Sequence, residues 1–260
     1  MMMATTRSAA CWDDLDRELE AWRECGRPAT LWWRDDDAVA DDRRLVRLFE
    51  LSEGIPIALA VVPAAVERAL VARLTGIASA CVIQHGWSHA NHAPAGEKKA
   101  ELGAHRPFAV ITAELRAGWE RLRALFGTRA LPVLAPPWNR IADDLVSELP
   151  ALGFAALSTY GPRRAASAAA GLAQINAHID LIDWRGSRRF VGTEAALGAL
   201  VTHLARRRRG EIDAGEPTGL LTHHLRHDSA SEDFLAALVA HLRGHEAARW
   251  LALGDASWMP

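Results

Sequence analysis

The stretch Ala80-Cys81-Val82-Ile83-Gln84-His85-Gly86-Trp87-Ser88-His89-Ala90-Asn91-His92 joins an apolar run to a histidine-rich segment, and its reading decides the fold. The run Ala80 to Ile83 lacks charge, as a strand covered on both faces requires. Just past its carboxyl end three imidazoles, His85, His89 and His92, fall within eight residues. Neutral imidazole is the commonest protein ligand for zinc and similar ions. The i, i+4 spacing of His85 and His89 predicts rings that meet on one face of a helical turn, with His92 at i+7 able to share it. A metal site is the expectation; a polar loop is the alternative that an isolated H-x-x-x-H leaves open.

On either side the chain alternates apolar runs with amphipathic helices. Trp12, Leu15, Leu19 and Trp22 recur at helical spacing over residues 12–25. Leu31-Trp32-Trp33 reads as a short strand ending in Arg34-Asp35-Asp36-Asp37. Three adjacent carboxylates repel, so that segment must be exposed, or countered by Arg34 or a metal, or partly protonated. Helix patterns follow at 41–52, 64–74, 112–126, 141–149, 194–207 and 231–243. Asp41 or Asp42 is placed to cap the first of these. Strand-like runs lie at 57–62, 133–134, 154–157, 175–179, 219–222 and 250–253, with an alanine-rich connection after 157.

Such alternation calls for a parallel sheet covered by helices. Polar clusters sit at the carboxyl ends of five strands: Asp35 to Asp37, His85 to His92, Pro137 to Asn139, Asp180 to Trp184 and His223 to Asp228. A closed (β/α) barrel gathers those ends on one rim, whereas an open doubly wound sheet gathers only those beside its switch point. No glycine-rich phosphate-binding motif is present. The expectation is therefore an α/β fold, a distorted (β/α) barrel of about seven strands in a single domain, spanning 29–260 behind a helical extension at 1–28.

Composition narrows the function. The 260 residues carry 30 basic and 32 acidic side chains, mixed along the chain, which offers no field for nucleic acid. The run Arg206 to Arg209 closes a predicted helix, where cations complement the dipole. Cys11, Cys25 and Cys81 lack the pairing of a disulfide framework or thiolate zinc site. No apolar run is long enough for a membrane span and the amino terminus has no apolar signal core, so a soluble, cytoplasmic protein with no membrane partner is expected.

The ordered set Asp-Asp, H-x-x-x-H, Pro-Pro-aromatic, D-x-x-D-W and L-x-H, over residues 31–228, resembles the polysaccharide deacetylases of carbohydrate esterase family four, the NodB-homology type. That resemblance implies a metal-dependent amide hydrolase removing acetyl or similar groups from N-acylated sugars. It implies Asp36 as general base and Asp37, His85 and His89 as ligands of one divalent ion, zinc being the expected one. The triple aspartate also permits the register Asp35 and Asp36; Arg34, two residues before Asp36, favours the later one. Trp138 corresponds to the residue whose backbone N–H faces the oxyanion, Asp180 and Trp184 to the D-x-x-D-W pair, and His223 to the general acid.

Two positions depart from the family pattern. Ala135 stands where an arginine usually contacts the base, with Arg34 or Arg140 as substitutes, and His224 stands where aspartate is common. His178 shares a strand face with Asp180 and either reaches the rim or packs inside. Two further readings stay open. One is a hydrolase of a small non-sugar amide on the same scaffold; the other is a carbohydrate-binding protein without catalysis.

Overall fold

The computed structural model describes residues 10–255; residues 1–9 of the expected extension and 256–260 of the barrel domain lie outside the described residues. In chain order the elements are α1 (Trp12–Glu24), β1 (Ala29–Ala38), α2 (Arg43–Ser52), β2 (Ile57–Val61), α3 (Arg68–Thr75), β3 (Ala80–Gln84), α4 (Phe108–Phe126) and β4 (Ala130–Leu134). Then follow α5 (Asp143–Glu148), β5 (Ala156–Leu157), β6 (Ser167–Ala169), β7 (Leu172–Gln174), β8 (Ile179–Asp180), α6 (Thr193–Arg208), β9 (Thr218–Thr222), α7 (Ser229–Arg243) and β10 (Ala248–Trp250).

The sheet runs β6-β7-β5-β4-β3-β2-β1-β9-β8, with β10 added beside the start of β1. Among the described residues every pairing of these strands is parallel except β6 with β7. Residues 172–180 complete the ring as one interrupted stave: β7 pairs with β5, Ala177 bridges to Tyr160, and β8 pairs with β9. Counting that stave once gives β1, β2, β3, β4, β5, β7 with β8, and β9, a barrel of seven staves among the described residues.

The interruption explains why the strand expected over 175–179 is regular only at Ile179–Asp180. The Ile175 N–H donates to Leu157, but the His178 N–H donates to Gly219, so the stave changes partner in mid-course and its ladder breaks. The alanine-rich connection after 157 contains the β6–β7 hairpin, for which neither alternation nor a two-residue turn gave a signal. Helix 64–74 divides into a 3-10 turn at Pro63–Ala65 and α3.

Inside the ring Ala58, Ala60, Ala135, Ala156 and Ala173 leave room for the indole of Trp32, whose Nε1 donates to the carbonyl of Asn176 at 3.1 Å. Gly219 is required there. A Cβ at that position would stand 2.5 Å from the Asn176 carbonyl oxygen and 2.6 Å from Trp32 Nε1.

Outside the ring the helices cover an aliphatic layer. Leu15, Leu19 and Trp22 of α1 are buried in that same layer against α6, and Glu18 takes both prongs of the Arg208 guanidinium at 2.8 and 2.9 Å. Asp42 caps α2, accepting from the N–H groups of Arg44 and Leu45. Among the described residues no helix is long and apolar enough to cross a membrane.

Candidate active site

The strand β1 continues through Arg34-Asp35-Asp36 instead of stopping at Trp33, and all three of these side chains are buried. Period two turns Arg34 and Asp36 to one face and Asp35 to the other. Asp37 then leaves the extended conformation, with φ of 72°, a value aspartate tolerates better than most residues. Its Oδ1 lies 3.2 Å from Nε2 of His85 and 3.2 Å from Nε2 of His89.

The histidine segment is an irregular loop, not the helical turn its spacing predicted. Gly86 and His89 both have φ of 58°, and this pair of left-handed residues folds the loop so that the two rings still meet, 5.2 Å between centroids. Only glycine fits at 86, where a Cβ would fall 1.9 Å from Glu101 Oε2. Glu101 itself is buried and accepts from the Trp87 N–H at 3.2 Å, the Ser88 N–H at 2.7 Å and the Ser88 hydroxyl at 3.0 Å. His92 is exposed and stands apart from this group; its N–H donates to the Ala100 carbonyl.

One ligand atom from each of Asp37, His85 and His89 lies within 4.8 Å of the others, the separation that one metal ion can span. His85 Nδ1 is 2.8 Å from the Ala135 carbonyl, which can only accept, so Nδ1 carries the proton and Nε2 is free to act as a ligand. Asp37 Oδ1 is buried and accepts no well-directed hydrogen bond. Burial acts to raise the Asp37 carboxyl, but the two imidazoles outweigh it and hold the group far below the ordinary carboxylate range. Burial likewise opposes protonation of His85, and the charges of Asp36 and Asp37 reverse that sign. A two-imidazole, one-carboxylate donor set of this span fits a divalent metal with open positions.

Beside this group Asp36 is held by Arg34, Nε to Oδ1 at 2.9 Å and Nη2 to Oδ2 at 3.0 Å. Arg34 also donates to Ser158, Thr159 and Asn139. Arg34 thus contacts the aspartate from β1, while Ala135 is buried in the barrel and Arg140 points away, donating to the Lys99 carbonyl.

His223, just past β9, brings Nε2 to 4.0 Å from Asp36 Oδ2. The Trp184 ring meets it edge-on, 4.8 Å between centroids at 74°, and Trp184 Nε1 donates to Asp180 Oδ2 at 2.8 Å. Burial raises the Asp180 carboxyl, with the nearby His223 acting in the opposite sense. On the other flank Trp138, in the turn Pro137–Asn139 with φ of 56°, lies against His89, 4.4 Å between ring centroids and tilted by 56°.

Asp35 belongs to neither group. Its carboxylate pairs with His224 Nδ1 and accepts from the Thr222 hydroxyl and the His224 N–H. Burial alone would raise Asp35 and lower His224; their mutual attraction reverses both directions. His178 does not reach the rim. Its Nδ1 accepts from the Gly219 N–H and its Nε2 lies 3.2 Å from Glu216, near the amino end of β9.

Glu101, Asn139, Thr222 and Ser158 were not singled out from the sequence. Glu101 alone left a signal, a carboxylate between Ala100 and Leu102 where the surrounding loop is otherwise polar.

No family model and no curated protein matches the chain by sequence. The fold is that of the carbohydrate esterase family four deacetylases. A Streptococcus mutans CE4 esterase superposes with a TM-score of 0.57 at 12% identity, covering 90% of each chain. The Bc1960 peptidoglycan N-acetylglucosamine deacetylase gives a TM-score of 0.54 at 16% identity, over 90% of this chain and 94% of that one. A family 4 acetyl xylan esterase from Clostridium thermocellum, in complex with a cobalt ion, gives 0.50 at 14% identity, over 86% and 88%.

Proposed function

We propose that this chain is a metal-dependent hydrolase of carbon–nitrogen bonds that removes acetyl or similar acyl groups from N-acylated sugars. The observation that carries the reading is the convergence on one rim of Asp37, His85 and His89 with a second carboxylate, Asp36, and an imidazole, His223. The likeness in fold to a peptidoglycan N-acetylglucosamine deacetylase and to an acetyl xylan esterase supports removal of acetyl groups from saccharides.

Asp37, His85 and His89 would hold one divalent ion, zinc being well suited to these donors, and it would lower the pKa of a bound water toward ~7 and polarise the amide carbonyl. Asp36, oriented by Arg34, takes the proton of the attacking water. The backbone N–H of Trp138 donates to the carbonyl oxygen as charge develops there. His223 then delivers a proton to the departing nitrogen, because an amide anion is too poor a leaving group. Asp180 fixes the Trp184 indole, whose edge orients His223. Trp184, 41% exposed, and Trp138 present aromatic faces on which a sugar ring can stack.

Acetate release from N-acetylated oligosaccharides and from small acetamides, with and without chelator, tests this. Chelator-sensitive release from the oligosaccharides is expected. Release from the small amides alone would transfer the reaction to a non-sugar substrate, and stoichiometric metal with release from neither would leave a binding protein.

A further inference from the structure

The buried Asp35–His224 pair stands beside the site without touching the reacting positions, and neither residue has a role in the chemistry above. Asp35 is completely shielded from solvent and His224 nearly so. The Asp35 carboxylate receives three donors: the Thr222 hydroxyl at 2.6 Å, the His224 N–H at 3.0 Å and the His224 imidazole. Thr222 is fixed in turn by Trp33 Nε1, which donates to its hydroxyl at 2.8 Å. The donors thus come from the residues immediately before and after His223, while the acceptor is the residue immediately before Asp36.

We infer that Asp35 and His224 form a positioning clamp that sets the general acid His223 against the general base Asp36. The inference rests on the function proposed above. A backbone held on both sides of one residue leaves its Cα little room to move, and Asp35 is joined to Asp36 by a single peptide unit. The regular pairing of β1 with β9 ends at Asp35 and Thr222, so the ladder itself does not reach His223. The carboxylate continues the connection past the last rung. Three consecutive aspartates then divide the work: Asp35 ties the strands, Asp36 faces His223, and Asp37 joins the two imidazoles.

The test compares two substrates in one protein. An amide with a basic leaving amine needs a placed acid, whereas an activated aryl ester such as 4-nitrophenyl acetate does not. Asp35→Asn and His224→Leu should slow the amide about 10- to 100-fold in kcat, with KM and metal content held, and the ester less than about 3-fold, since displacing a catalytic group by ~1 Å costs rates of that order. The ratio of the two rates is independent of the fraction of folded protein, so a purely structural defect leaves it unmoved. His224→Asn keeps an N–H donor facing Asp35 and should recover most of the amide rate. Should Asp35→Asn fail to fold, the comparison of the two His224 variants decides the question.

Imidazole resonances of His223, identified by their loss in His223→Ala, supply a readout apart from activity. They should shift in His224→Leu and return toward wild type in His224→Asn. Unmoved resonances with an unmoved rate ratio would overturn the clamp. Inactivity of the wild type on both substrates would overturn the proposed function, while the resonances would still decide the clamp.

Discussion

The guanidinium of Arg34 runs alongside the carboxylate of Asp36, Nε to Oδ1 at 2.9 Å and Nη2 to Oδ2 at 3.0 Å, with both side chains buried. A charge pair so placed repays its desolvation only through close geometry and further hydrogen bonds; Ser158 and Thr159 accept from Nη1, and Asn139 accepts from Nη2 beside Asp36.

Removing one partner should be costly. Arg34→Met leaves Asp36 as a buried, unpaired charge, and a loss of about 3–5 kcal/mol is expected. Arg34→Lys keeps the charge but not the planar fork, so it should retain much of the stability and still lose turnover. Denaturant midpoints and kcat for the two variants check this. Equal stability of Arg34→Met and wild type would remove the pair from the structural account.

The adjacent aspartates should fail in different ways. Asp37→Asn removes a ligand, and stoichiometric metal after dialysis should be lost. Asp36→Asn removes only the proton acceptor, so metal should remain while the rate falls about 100-fold or more. Metal analysis beside kcat separates the two. Loss of metal from Asp36→Asn with retention in Asp37→Asn would reverse the assignment.

Acid stability should report a cluster far from the rim. His203, buried on α6, lies 3.9 Å ring to ring from His178 and 3.0 Å from the Thr218 hydroxyl. Burial first, and then the charges of His178 and Arg207, push the His203 imidazole down to about 2. The folded state therefore keeps it neutral while the unfolded chain protonates it below the ordinary histidine value. Stability is full above that value and should fall by up to about 1.4 kcal/mol per pH unit below it. Urea midpoints between about pH 7 and about pH 4 should decline in the wild type and flatten in His203→Gln. An equal slope in the variant would assign the acid loss to other groups.

Where a feature depends on neighbours in the chain, it could be read from the residues. Apolar runs such as Ile57 to Val61 announce staves buried on both faces, and the five polar clusters past strand ends define the rim. The meeting of His85 with His89 was legible from spacing, although the helical reason was wrong: two left-handed residues achieve it in an irregular loop. Features that depend on distant partners were not legible. Asp35 finds its three donors 187 and 189 residues away, and only that pairing separates its duty from that of Asp36. His178 was placed on the Asp180 face by a period-two argument, but it lies just before the regular strand, where the stave changes partner, and it meets Glu216 and His203 instead of the rim.

The loop that carries His85 and His89 has its own support, and a final expectation follows from it. Glu101 accepts three hydrogen bonds from Trp87 and Ser88, between the two histidines, while Gly86 lies so close to its carboxylate that no side chain fits. Glu101→Gln replaces one acceptor oxygen by a donor of nearly the same size, so one of those N–H or O–H groups must face another donor. Packing around the loop is preserved, but His89, whose left-handed backbone depends on the turn, should lose its fixed orientation. Groups that orient ligands are commonly worth about 10- to 100-fold in metal affinity. Titration with zinc against a competing chelator should therefore show weakened binding in Glu101→Gln, with a smaller effect on the thermal midpoint of the metal-free protein than on that of the metal-loaded one. Unchanged zinc affinity in a folded Glu101→Gln variant would mean that the backbone at Gly86 holds His89 in place without the carboxylate.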